Sequence, residues 1–326
     1  MLRLFHSIFG AEKGPEHYPE TLVREAIERA VDGTDPWLRG LSGYSRKLRP
    51  AVLHAIDHVV TLVDGMEDAL ELSRQRYDDD PQLRLFFISA EQIDKLLATD
   101  PVLTAFHGEA GHSAQSVWAL LTMECEQRQV FGFEQQGEMI VRDVAQITVS
   151  MSGHRLIDPT AEQNETRRLL KRRAFDHLLT LALARIAAIQ EVREDLVQHR
   201  TLLQSKLNYL QRGDWGFGGH GSDVPAPVAE LQQKLDAIEI QLAEVGGDDR
   251  YLELNLAILI DVLANAEHQL WVEPLPLIVD RMGIRRNQAS AEAPELVLTE
   301  LHNKAGRRMV ARLAMLPASA AGHARQ

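Results

Sequence analysis

The sequence predicts a helix-dominated α+β fold in which a small, mostly antiparallel sheet carries an inserted, coiled-coil-like antiparallel helical hairpin. Three observations predict it. No proline or glycine interrupts residues 161–212, and an uninterrupted span of that length points to a long helix. Ala145, Ile147, Val149 and Met151 alternate with Gln146, Thr148 and Ser150, the period of a strand with one buried and one wet face. A second β pattern returns between residues 272 and 316.

Taken in chain order, residues 1–128 read as an N-terminal helical region. Leu22, Ala26, Ile27 and Ala30, then Val52, Leu53, Ile56, Val59, Val60 and Val63, recur at helical spacing. Asp32-Gly33-Thr34-Asp35-Pro36 separates the two helices, and Pro50 is expected in the first turn of the second, where its missing N–H is not needed. Further helices are expected over 81–87, 90–98 and 113–126. Residues 129–158 then predict a β meander. Val130-Phe131-Gly132-Phe133 and Met139-Ile140-Val141 flank a turn at 135–138, and Ser152-Gly153-His154 is expected to turn the chain again.

The hairpin spans 161–245. Ala182, Ile186, Ile189, Arg193, Leu196, Arg200, Leu203, Leu207 and Leu210, at 3/4 spacing, are apolar at seven of nine positions, and Val228, Leu231, Leu235, Ile238, Leu242 and Val245 at six of six. Five glycines within 213–225 predict a flexible tip. The first arm is about twice as long as the second, so part of its apolar face must pack elsewhere: on the sheet, on the N-terminal helices or on another chain. A helix follows within 250–271. In 272–316, Pro274 and Pro276 place the first strand at an edge, and Asn303-Lys304-Ala305-Gly306 reads as a turn between two others. The two β regions, 129–158 and 272–316, are expected to meet in one sheet, with 317–326 as a disordered tail.

The totals bound function loosely. Of 326 residues, 47 are acidic and 35 basic, a net charge of -12 that disfavours nucleic acid and anionic membranes as partners. The single cysteine, Cys125, rules out an intramolecular disulfide or a multi-cysteine zinc site. With no apolar run of spanning length and no secretory leader, a cytoplasmic protein without an integral membrane segment is the expectation.

Four constellations could carry function. His107, Glu109 and His112 are ligand types for a divalent metal, but the histidines are five apart, about 140° around a helix, and Gly108 and Gly111 suggest a loop. His54 and His58, four apart on a helix, lack a third ligand. Arg168, Lys171 and Arg172 share one face within the basic run 167–173, a candidate phosphate-binding stripe unless neighbouring acids neutralise it. Trp215 and Phe217 at the hairpin tip, with Leu196 and Leu203 on the seam, are candidate partner-binding residues. Cys125, between Glu124 and Glu126, is a poor nucleophile. No phosphate loop, nucleophile elbow or dinucleotide fingerprint occurs, and no cofactor is predicted beyond that possible metal. The expectation is a non-catalytic interaction, scaffold or regulatory protein acting through its helical hairpin on a protein partner or on itself. A metal-dependent enzyme at 107–112 and a nucleic-acid factor at 167–173 are the alternatives.

Overall fold

In the computed structural model, residues 18–109, 116–136, 139–213, 226–244 and 250–317 are described. Among them are helices α1 (Glu20–Asp32), α2 (Tyr44–Asp64), α3 (Pro81–Phe86), α4 (Ala90–Thr99), α5 (Pro101–Glu109), α6 (Gln163–Gly213), α7 (Ala226–Glu244) and α8 (Tyr251–Ala264). The strands are β1 (Leu70–Glu71), β2 (Ser116–Gln136), β3 (Met139–Thr160), β4 (Leu270–Ile278), β5 (Glu295–Asn303) and β6 (Arg308–Pro317). Two units divide the chain: one comprises Ile56–Phe175 and the described chain from Glu267 on, the other the described chain up to Ala55 together with Asp176–Ala266.

The first unit holds the sheet, ordered β3-β2-β6-β5-β4 with every neighbour antiparallel, and β1 added parallel to β6. The two β regions expected from sequence do share this sheet, and the proline-bearing β4 is at its edge. Leu121 and Met123 of β2, Val149 and Met151 of β3 and Val310 of β6 pack with Leu83 and Phe86 of α3 and Ile93 of α4 in one apolar core. Asp100 caps α5, its Oδ1 accepting from the backbone N–H groups of Val102 (2.9 Å) and Leu103 (3.0 Å). Its Oδ2 accepts from Leu156 N–H (3.2 Å), tying that helix end to β3.

Four sequence expectations need correction here. Residues 113–126 are not a helix: from Ser116 they form the first half of β2, a central strand between β3 and β6. Both of its faces are buried there, Ala119 and Leu121 on one and Leu120 and Thr122 on the other, so it reads as a continuous apolar run that mimics a buried helix. Ser152-Gly153-His154 is not a turn, because β3 runs through it. The pairing shifts register near Trp118, Thr122 and Gly132 of β2. Each shift adds a residue to β3, which holds three left-handed residues: Asp158 (φ 49°), Gly153 (φ 66°) and Asp143 (φ 57°). The extra residues bend β3 while β2 stays regular. Pro50 lies inside α2, which starts at Tyr44; Pro50 is exposed, so the Arg46 carbonyl it leaves without a helical donor is on the solvent side. His107 and Glu109 stand on helix α5, not in a loop.

The second unit is helical. Asp35 caps a short 3-10 turn through Trp37 N–H (3.0 Å) and accepts from buried Asn255 of α8 (2.9 Å). Arg29 of α1 and Asp176 of α6 form a two-point ion pair. α6 and α7 make the antiparallel hairpin: Val228, Leu235 and Leu242 are buried at seven-residue spacing, and Ile189, Arg193, Leu196, Arg200, Leu203 and Leu207 of α6 are all half-buried. The length of α6 in excess of α7 is met within the chain by α8. The Arg193 guanidinium lies 5.6 Å from the Tyr251 ring centroid, and Arg185 pairs with Asp261 at 2.6 Å.

Candidate functional site: a two-stranded ribbon with a free edge

β2 pairs with β6 only as far as Met123↔Val310, whereas its pairing with β3 continues to Gln136↔Met139. From Glu124 outward, β2 and β3 therefore project as a two-stranded ribbon; at about 3.3 Å per residue, the thirteen residues to Gln136 reach roughly 40 Å. Isolated two-stranded ribbons are marginal in water, and this one is braced at its base. After β4 the chain turns at Asp280, whose Oδ1 accepts from Met282 and Ile284 N–H and whose Oδ2 accepts from Arg286. That turn bonds to the ribbon through Val149 N–H to the Gly283 carbonyl and Arg285 N–H to the Ile147 carbonyl, both 2.8 Å. Arg285 Nη1 adds a bond to Gln127 Oε1 at 3.0 Å. Gly283 has φ 76°, and a Cβ there would stand 3.1 Å from the Val149 carbonyl oxygen, so glycine suits both backbone and space.

Further out, Gln146 lies over Gly132, where a Cβ would come within 2.3 Å of its Oε1, and Gln146 Nε2 donates to the Phe133 carbonyl at 3.0 Å. A glycine in mid-strand is thus the seat of a buried amide. Beyond this support the ribbon exposes apolar surface: Phe131 is 75% exposed and Phe133 67%. The Arg142 guanidinium lies 5.8 Å from the Phe133 ring centroid. Ala145 stands opposite Phe131 in the ladder and Ile147 opposite Gln129, so these side chains share a face. An open groove of about 1120 Å³ lies beside them, between Val144–Ile147 and the Ile284–Glu295 segment.

Which backbone groups of the ribbon are free follows from the bonds at its base. Ile147 and Val149 turn their polar groups away from β2 toward the 283–285 segment, so Gln146, Thr148 and Ser150 turn theirs toward β2. Their partners Val130, Arg128 and Glu126 point back at β3. Gln127, Gln129 and Phe131 therefore direct N–H and C=O to the outer edge, which has no strand partner among the described residues.

The residues nominated from sequence are placed otherwise. Leu196 and Leu203 are half-buried on the hairpin seam, while Trp215 and Phe217 lie outside the described residues. In the basic run, Arg167 donates to the Val63 (2.6 Å) and Met66 (3.2 Å) carbonyls at the end of α2. Lys171, buried, pairs with Asp64 at 2.7 Å, Arg173 with Asp158 at 2.7 Å and Arg168 with Glu165. Arg172 is half-buried. His107 packs edge-on against Phe106; His112 and the Glu109 side chain lie outside the described residues, among which no group of three His, Cys, Asp or Glu side chains is placed to hold a metal ion. His58 Nε2 bonds the Leu270 carbonyl at 2.7 Å.

One polar cluster had no sequence signal, because its members are brought together only by strand register. Glu273 of β4 and Glu300 of β5 are direct ladder partners, an arrangement in which like charges repel. His302 sits against both, its Nε2 2.9 Å from Glu300 and 3.7 Å from Glu273, with its ring stacked on Trp271 (5.5 Å). Across the two strands the contact is the Trp271–His302 ring stack. The Cys125 thiol is pushed up by burial first and by the Glu300 charge second, which suppresses its thiolate.

No protein-family model, curated protein or solved structure matches the chain.

Proposed function

We propose that the chain is an interaction protein that docks a protein partner through the outer part of the β2–β3 ribbon. The observation that carries this reading is the pair Phe131 and Phe133, both largely exposed on a strand whose outer backbone edge has no strand partner among the described residues. Aromatic anchors beside an open edge serve strand-addition docking, in which main-chain bonds give affinity and side chains give selectivity. Burying each phenyl ring is worth about 2–3 kcal/mol. Residues 124–143 carry five acids (Glu124, Glu126, Glu134, Glu138, Asp143) against two bases (Arg128, Arg142), three net negative charges, which argues for protein over polyphosphate.

A second reading keeps the helical hairpin as the contact surface. It is favoured by Leu202 and Tyr209 of α6, seven residues apart on one face, 64% and 78% exposed. Crosslinking from a photoreactive phenylalanine at position 131 or 133 in the host cell separates the two. A discrete protein adduct is expected there; its absence, with adducts from positions 202 or 209 instead, would transfer the function to the hairpin.

A further inference from the structure

Resting on that ribbon reading, we propose that the partner is a second copy of this chain, joined by antiparallel pairing of the β2 edges about a two-fold axis at Phe131. A strand edge is self-complementary when its polar groups alternate and its side chains tolerate the two-fold register. β2 meets the first condition, because Gln127, Gln129 and Phe131 direct their polar groups outward. It also stays regular there, the extra residue of the bulge near Gly132 being carried by β3.

The side chains choose the register. A two-fold axis normal to the sheet keeps like faces together, so it must pass through a residue rather than between two. Over the described residues 124–136, centring on Gln129 sets Glu124 opposite Glu134 of the other copy, and centring on Val130 sets Glu126 opposite Glu134, each juxtaposing like charges twice. Centring on Gly132 sets Arg128 opposite Gln136 and Val130 opposite Glu134, with no charge pair. Centred on Phe131, the pairing over residues 126–136 sets Arg128 opposite Glu134 twice, Glu126 opposite Gln136, and Phe131 opposite its own counterpart, with Phe133 beside Gln129. Of the four, only this register sets opposite charges together and brings the phenyl rings of both copies into one cluster. It also pairs the outward groups of Phe131 with those of the other Phe131 directly. Arg128 is free to take part: its ion pair with Glu126, two residues away on the same strand, has side chains 72% and 43% exposed, and such pairs hold weakly.

The contact is smaller than a standard interface, so association in the micromolar range is expected. Sedimentation of the full chain from about 1 to 200 µM should show a reversible monomer–dimer equilibrium. Arg128→Glu and Glu134→Arg should each weaken it at least tenfold by setting like charges face to face, and the double variant should recover most of the loss. Circular dichroism reports whether each variant keeps its fold, and residue-resolved amide exchange should slow at Gln127, Gln129 and Phe131 on association. A wild-type chain that stays monomeric throughout, a dimer indifferent to the single changes, or a double variant without recovery overturns the self-pairing. A crosslink from position 131 at a mass other than twice that of the chain would overturn it too while leaving the ribbon as the docking surface; the lack of any adduct removes both.

Discussion

Replacing Asp100 by alanine removes three acceptor contacts at one buried point and is expected to destabilise the unit that holds the sheet. Asp100 is 7% exposed, and Leu103 and Leu156, two of its three donors, are 3% and 1% exposed. Loss of the helix cap costs about 1 kcal/mol. The Leu156 N–H, left unpaired inside the protein, costs about 1–3 kcal/mol more. The expected loss is therefore about 3 kcal/mol, read as a fall in the urea midpoint at unchanged slope. Asp100→Asn separates the parts. Its amide oxygen can still cap α5, but the amide nitrogen then faces the Leu156 N–H with no lone pair to offer, so about half the loss is expected. Alanine and asparagine variants of equal stability, or an alanine variant within about 0.5 kcal/mol of wild type, would refute the view that this carboxylate joins α5 to β3.

Two other changes report on the same unit. Burial lowers the His154 pKa, opposed by the ring's bond to the Phe86 carbonyl; the folded state thus binds a proton less readily than the unfolded chain. Stability from this residue is full above the unfolded value of about 6.5 and falls as the pH drops below it, so His154→Gln should show a smaller fall in urea midpoint between pH 7.5 and 5.5 than wild type. Gly283→Ala places a side chain at φ 76° against the Val149 carbonyl, and a loss of about 1–2 kcal/mol is expected in thermal unfolding, with faster exchange of the Val149 amide.

What the sequence made legible was what depends on local pattern. The heptad spacing located α6 and α7, the prolines put β4 at an edge, and alternation at 145–151 found β3. Strand pairing between β2 and β6, nearly two hundred residues apart in the chain, has no local signature, and the doubly buried half of β2 imitates a helix. Gly153 marked an interruption correctly, but whether a left-handed residue turns a strand or bulges it depends on the partner opposite. The candidate site was legible only as residues: Phe131 and Phe133 stood in a recognised strand, while their exposure follows from where β6 ends. The basic run at 167–173 shows the converse. Its density suggested a binding stripe, yet Arg167 and Lys171 face the end of α2, which only the tertiary fold brings near.

The measurement closest to the central claim is photocrosslinking in the host cell from position 131, with positions 133, 202 and 209 run in parallel and adduct masses read by mass spectrometry. A discrete protein adduct is expected from 131 and 133, at twice the mass of the chain, and none of comparable yield from 202 and 209. Adducts confined to the helical positions, or none at the ribbon, would contradict it.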